Sequence, residues 1–143
     1  MAENRYSQYG EELMIKEQLD RIGVCSRWCF EVGAHDGKTL SNTRSLIEND
    51  DFYGVWIEGD EETYKTLEQN KIGKVKTYNK MIGTHDLDEI LTDAGAPSVV
   101  DVGVIDIDGQ DYWVWSAMRK HRARLMLVEF SPYVEPYHLP KLG

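Results

Sequence analysis

The feature that most constrains the fold is an alternation of short apolar segments with longer, more polar segments of helical character. The apolar segments predict strands at residues 27–32, 52–58, 74–82, 99–107 and 124–130. The other segments predict helices at residues 8–22, 39–49, 61–70, 85–95 and 111–122. Apolar strands that alternate with helices are typical of a parallel sheet covered on both faces, and right-handed crossovers make such a sheet doubly wound. We therefore predict an α/β fold, with a mostly parallel sheet of about five strands, in a single domain that spans residues 1–143.

Charge and hydropathy disfavour several classes of partner. The net charge of −9 argues against nucleic acid, since binding phosphates needs a basic surface. No apolar run reaches the roughly 18 residues that a membrane span needs, and the first residues lack the apolar segment of a signal peptide. We therefore expect a cytoplasmic protein without nucleic-acid or membrane partners.

The junction after the first predicted strand, with the sequence FEVGAHDGKTLSNT, has the features of a binding turn. Ligands in doubly wound folds bind beyond the carboxyl ends of the strands. Gly33 and Gly37 allow a close approach of the backbone to a ligand, and Glu31 adds a negative charge that favours a cationic group. The glycine fingerprint of dinucleotide-binding turns would need glycines where the chain has His35 and Lys38. The turn therefore predicts a nucleoside without a pyrophosphate and disfavours an NAD-type oxidoreductase.

A second carboxylate, Glu58, ends the second predicted strand, 21 residues after Gly37. A carboxylate at this place can accept hydrogen bonds from both hydroxyls of a ribose. The alternative is a solvated strand-end carboxylate without a ligand. Together with the acidic turn, Glu58 indicates a ligand that joins a ribose to a positive charge, which is the chemistry of S-adenosylmethionine.

Four segments resemble, in order and spacing, the FkbM-like branch of the Rossmann-type S-adenosylmethionine-dependent methyltransferases. They read FEVGAHDGKTLSNT, YGVWIEGDEETYKTL, LDEIL and VIDIDGQDYWVW, and SQYGEEL and LMLVEFSP near the two ends fit the same branch. The resemblance implies a Rossmann-like domain in which the first turn lines the methionine moiety, Glu58 binds the ribose and Asp86 accepts from the adenine amino group. The cofactor contacts that it implies are Glu31, Gly33, Ala34, His35, Asp36, Gly37, Glu58, Gly59, Asp86 and Asp106.

Two aspartates after the fourth predicted strand, Asp106 and Asp108, stand where the resemblance implies contact with the methyl group and its acceptor. Asp106 is the first candidate for the base that deprotonates an alcohol acceptor, and His35 is the second. Both aspartates are candidate ligands of a magnesium ion, which prefers oxygen ligands. The alternative is structural, with Asp108 or Asp111 capping the following helix; Asp86 could likewise cap its own helix.

The resemblance also sets an expectation for the substrate. Family members of this general kind act largely on hydroxyls of sugars and secondary metabolites, so we expect O-methylation of a small hydroxylated acceptor such as a sugar. Methyltransferases of this fold normally continue with a sixth and a seventh strand, whereas few residues and three prolines follow Phe130 here.

The expected lack of this strand pair has two consequences. One is an alternative function, a shortened domain that binds the nucleoside or a partner without turnover. The other is an apolar sheet edge from Leu125 to Phe130, which predicts a homodimer or a hetero-assembly through that strand.

Overall fold

The computed structural model describes residues 5–107 and 110–128, which form alternating helices and strands. In chain order they are α1 (Glu11–Ile22), β1 (Trp28–Val32), α2 (Arg44–Asn49), β2 (Tyr53–Glu58), α3 (Glu61–Asn70), β3 (Val75–Asn79), α4 (Asp86–Asp93), β4 (Val99–Ile105), α5 (Asp111–Ala117) and β5 (Arg122–Val128). A helix or strand is present at each predicted place, and α3 has the predicted bounds. Residues 129 and 130, the end of the fifth predicted strand and of the predicted Leu125–Phe130 edge, lie outside the described residues. No helix in this part of the chain is long and apolar enough to cross a membrane.

The strands form one parallel sheet with the order β3-β2-β1-β4-β5. Phe30 of β1 lies opposite Val55 of β2 on one side and opposite Gly103 of β4 on the other. The chain proceeds outward from β1 to β3 and then, in the other direction, from β4 to β5. The strand order therefore reverses between β1 and β4, which is where doubly wound folds bind ligands. This topology confirms the predicted Rossmann-like α/β fold.

Helices cover both faces of the sheet. Helices α1, α2 and α3 enclose one core, to which they contribute Ile15, Leu19, Leu46, Ile47 and Leu67. Helices α4 and α5 enclose the other core, to which they contribute Leu87, Ile90, Leu91 and Val114. Successive residues of a strand point to opposite faces, so Cys29 joins the first core and Phe30 the second.

Helix α2 begins at Arg44, so the predicted start at residue 39 is wrong. Leu40 has a φ of 65°, which no residue of a right-handed helix adopts. The backbone N–H groups of Asn42 and Thr43 donate to the carboxylate of Glu31. Residues 33–43 therefore form a long irregular loop, hereafter the β1 loop.

Helix α5 ends at Ala117, so its predicted extension to residue 122 is also wrong. Asp88 of α4 accepts hydrogen bonds from the backbone N–H groups of Arg119, Lys120 and His121, at 2.6 to 3.0 Å. Although desolvation opposes ionisation, these bonds and the His121 ring lower the pKa of the Asp88 carboxyl. The Asp88 carboxylate thus holds the segment between the end of α5 and the start of β5.

The amino-terminal end of the sheet is closed by Asp101, which is fully buried. Its carboxylate accepts hydrogen bonds from the N–H groups of Cys25, Ser26 and Arg27. The guanidinium of Arg124 in β5 donates to the same carboxylate at 2.9 Å. These contacts tie the start of β1 to β4 and β5, at the end of the sheet opposite to the ligand crevice.

Candidate functional site

A cleft of about 730 Å³ opens at the carboxyl ends of the central strands, between the loops that follow β1, β2, β3 and β4. The predicted site residues that line it are Gly33, Ala34, His35, Glu58, Gly59 and Asp106. Four predicted residues lie outside its walls, namely Glu31, Asp36, Gly37 and Asp86. Asp108 lies outside the described residues. The structure therefore brings together about the half of the predicted site that comes from the tips of β1, β2 and β4.

Gly33 is required by contacts within the protein. Its φ is 79°, and a Cβ at this position would overlap the carbonyl oxygen of Asp106. Its N–H and that of Ala34 both donate to the carbonyl oxygen of Ile57, at 2.9 and 3.0 Å. The tips of β1, β2 and β4 meet here so closely that only glycine fits.

Gly37 and Asp36 shape the β1 loop from its core side. A Cβ at Gly37, whose φ is 72°, would lie 2.6 Å from both Leu67 and the ring of Trp56. The Asp36 carboxylate accepts from the N–H groups of Lys38 and Thr39, at 2.9 and 2.7 Å. Their role here is to pack and cap the loop, which differs from the predicted contact with a cofactor.

Glu31 is the main internal anchor of the β1 loop, and its side chain is only 3% exposed. It accepts hydrogen bonds from the Ser41 and Thr43 hydroxyls and from the N–H groups of Asn42 and Thr43. Burial raises the pKa of Glu31 to about 7, and these donors oppose that rise. The structure thus places Glu31 beneath the loop and outside the cleft walls, where it holds the loop that would line a methionine moiety.

Glu58 joins the first two loops at the cleft wall. Its Oε2 accepts from the N–H of His35 at 2.7 Å, and its Oε1 accepts from the N–H of Asp60 at 3.0 Å. Each carboxylate oxygen has two acceptor positions, so each oxygen of Glu58 can still accept a hydrogen bond from a ligand. The carboxylate is therefore held in a fixed orientation on the wall of the cleft, at the predicted ribose position.

His35 presents its ring to solvent, with 62% of the side chain exposed. Its backbone has a φ of 55°, an unusual value for a residue other than glycine. The hydrogen bond from the backbone N–H of His35 to Glu58 accounts for the positive φ, and the imidazole takes no part in that bond. As a candidate base, His35 keeps an accessible ring at the edge of the cleft.

Carboxylates dominate the charge of the cleft. Among the described residues its lining includes Glu58, Asp60, Glu61 and Asp106 but a single lysine, Lys80. Asp60 also caps α3 by accepting from the N–H and hydroxyl of Thr63, and these bonds lower its pKa. The negative potential of such a cleft attracts a cationic ligand and repels a diphosphate.

The loop after β4 carries Asp106, which is exposed at the cleft. The buried carboxylate of Asp111 accepts from the Ile107 N–H at 3.2 Å and holds this loop against the start of α5. Across residues 5–107 and 110–128, no group of three or more His, Cys, Asp and Glu side chains could hold a metal ion. Magnesium therefore stays a prediction, and of its two candidate ligands only Asp106 lies within the described residues.

Asp86 has a local structural role. Its Oδ2 accepts from the N–H of Gly83 at 2.7 Å and fixes the turn before α4. Lys80 approaches the same carboxylate at 3.9 Å. Both contacts lie before the helix, so Asp86 orders the preceding turn and does not cap α4, and its contact with adenine stays a prediction.

Four cleft residues that the sequence-based prediction missed come from the β1 loop and from the loop after β3: Leu40, Lys80, Met81 and Ile82. Lys80 and Met81 directly follow β3, so the rule that ligands bind at carboxyl strand ends could have identified them. Leu40 carried no such signal, because it lay within a predicted helix.

Comparisons of the chain with protein-family models, with curated proteins and with solved structures found no match. The geometry and charge of the cleft are therefore the basis for inferring a function.

Proposed function

We propose that the protein is an S-adenosylmethionine-dependent methyltransferase that transfers the methyl group to a hydroxyl of a small acceptor. The observation that carries the proposal is the carboxylate of Glu58, held by the N–H groups of His35 and Asp60 on the cleft wall. A carboxylate at the end of the second strand can bind both hydroxyls of a ribose. The acidic lining around it suits a ligand that carries a positively charged sulfonium beside the ribose.

The backbone of the β1 loop supports this choice over a dinucleotide. A phosphate-binding turn directs its N–H groups and a helix N-terminus at the ligand. Here the N–H groups of Gly33 and Ala34 donate to Ile57, and those of Asn42 and Thr43 donate to Glu31. The donors that a pyrophosphate would need are thus engaged within the protein. This pattern disfavours an NAD-type oxidoreductase.

Transfer to an alcohol needs alignment of the acceptor and removal of its proton. S-adenosylmethionine, when bound, supplies an electrophilic methyl group. Asp106 is the first candidate to accept the proton, because it lies at the cleft at the end of β4, and His35 is the second.

A second candidate is a domain that binds the nucleoside, or a partner, without turnover. The exposure of Asp106 favours it, since water surrounds the carboxylate that would have to deprotonate an acceptor. A screen for methyl transfer to hydroxylated compounds, with magnesium present, separates the two candidates. Methyl transfer supports the enzyme, and saturable binding without transfer supports the second candidate.

The Glu58→Ala variant tests the carrying observation. It should weaken S-adenosylmethionine binding by about 1–3 kcal/mol, because hydrogen bonds to a charged group are lost. Glu62→Ala is the matched control, since Glu62 lies on α3, is 80% exposed and pairs with Lys65. The control should bind as the wild type does. Unchanged affinity in Glu58→Ala would remove Glu58 from the site.

A further inference from the structure

Leu40 has a backbone and an exposure that the fold does not explain. Its φ of 65° lies in the left-handed region, which glycine adopts freely and a leucine side chain disfavours. The residue is 47% exposed, and among the described residues it joins neither hydrophobic core. A side chain that is strained and half exposed contributes little to folding. Such outliers concentrate where a ligand is bound.

The chain holds Leu40 firmly from both sides. Before it, the N–H groups of Lys38 and Thr39 donate to the Asp36 carboxylate. After it, Asn42 and Thr43 donate to the buried Glu31. The two anchors fix the backbone that presents Leu40, and its side chain lines the cleft.

Among the described residues, a second exposed apolar side chain of the cleft, Met81, lies at a different place. It is 79% exposed, and a Cβ on Gly59 would overlap its sulfur. Met81 therefore covers the backbone next to Glu58, the predicted ribose carboxylate. With Glu58, Gly59 and Met81 at the nucleoside end, Leu40 is left to face what binds beside the nucleoside.

We propose that Leu40 is a specificity-determining residue that contacts an apolar ring or chain of the methyl acceptor. The acceptor would then be an amphipathic hydroxylated compound, such as an aryl or alkyl glycoside, instead of a bare sugar. This inference rests on the proposed function, because it takes the rest of the cleft as the nucleoside site. Apolar contact at the rim would discriminate such acceptors by the area removed from water.

A matched pair of glycosides tests the inference. Phenyl and methyl β-D-glucopyranoside share the same ring hydroxyls and differ only in the apolar group. Each is titrated, by ligand-observed NMR, into the full chain saturated with S-adenosylhomocysteine. We expect the phenyl glycoside to bind about tenfold more tightly, since a partly buried ring contributes that much.

Two variants separate ligand contact from a structural role. Leu40→Gly should abolish the preference for the phenyl glycoside while the unfolding midpoint stays equal or rises, because glycine relieves the strained φ. Leu40→Met should retain the preference by restoring apolar contact. A fall in the unfolding midpoint of Leu40→Gly, with the preference intact, would indicate a structural role and overturn the inference.

The outcomes distinguish this inference from the proposed function. If S-adenosylhomocysteine binds but the two glycosides have equal or unmeasurable affinity, the inference fails and the proposed function stands. If S-adenosylhomocysteine does not bind, the proposed function fails. In that case a Leu40-dependent preference, measured without the nucleoside, keeps Leu40 as a contact for apolar ligands, and no preference overturns it.

Discussion

The buried carboxyl of Glu31 makes a prediction about stability that needs no ligand. Its side chain is enclosed between β1 and the β1 loop and accepts from Ser41, Asn42 and Thr43. Cys29 is a titratable neighbour on the same strand, and its pKa is raised by burial and by Glu31. Glu31 titrates near neutral pH, because burial raises its pKa to about 7. The protonation of Glu31 therefore changes the free energy of unfolding.

The sign follows from the two pKa values of Glu31. The pKa is about 7 in the folded chain and has its ordinary value of 4.5 in the unfolded chain. Between these values the folded state binds more protons, so the free energy of unfolding falls as the pH rises. The full difference corresponds to about 3 kcal/mol, at about 1.4 kcal/mol for each step of one in pKa. Between pH 5 and pH 8 we expect a loss of about 2 to 3 kcal/mol.

The assay is urea unfolding at a series of pH values, for the wild type and for Glu31→Gln. The variant cannot ionise at this position, so other titrating groups cancel in the difference between the two proteins. The wild type should lose about 2 to 3 kcal/mol relative to Glu31→Gln from pH 5 to pH 8. Glu62→Gln, at an exposed position, should run parallel to the wild type. Parallel curves for the wild type and Glu31→Gln would mean that the surrounding donors keep Glu31 ionised throughout, and would refute the reasoning.

Three further predictions concern the loops and the sheet edge. Asp88→Ala should destabilise the fold by about 2 kcal/mol in urea unfolding, because three backbone N–H groups lose their acceptor; a cost no larger than that of Glu89→Ala, an exposed neighbour on α4, would contradict it. Gly37→Ala should cost about 1–3 kcal/mol more than Gly95→Ala, since both have a positive φ but only a Cβ at Gly37 meets other atoms; equal costs would count against the tight packing. We also propose that the half-buried apolar strand β5 pairs with a second copy, so light scattering at micromolar concentration should give the mass of a dimer, and a monomer would rule this out.

The fold could be predicted from the sequence because parallel strands buried on both faces read as continuous apolar runs. The runs around Phe30, Val55 and Val102 fixed three central strands, and the helical segments between them fixed the crossovers. The errors lie at the ends of helices, because carboxylates that are distant in sequence determine where α2 begins and α5 ends. Nothing local in the sequence indicates that Asp88 ends α5, or that Glu31 delays α2.

The candidate site could be predicted in part. Glu58 ends β2 and Asp106 directly follows β4, and both line the cleft, as the rule for carboxyl strand ends predicts. Glu31 also lies near a strand end, but side chains alternate along a strand, and Glu31 shares its face with the buried Cys29. This alternation could be read from the sequence, and it would have placed Glu31 on a buried face of the sheet. The strained backbone of Leu40, in contrast, depends on anchors on both sides and has no sequence signature.

The most direct test of the central claim is calorimetric titration of the wild-type chain with S-adenosylhomocysteine and, separately, with NAD⁺. The acidic cleft and the engaged N–H groups of the β1 loop predict saturable binding of S-adenosylhomocysteine to one site per chain and no saturable binding of NAD⁺. Saturable binding of NAD⁺ without any heat from S-adenosylhomocysteine would contradict the account.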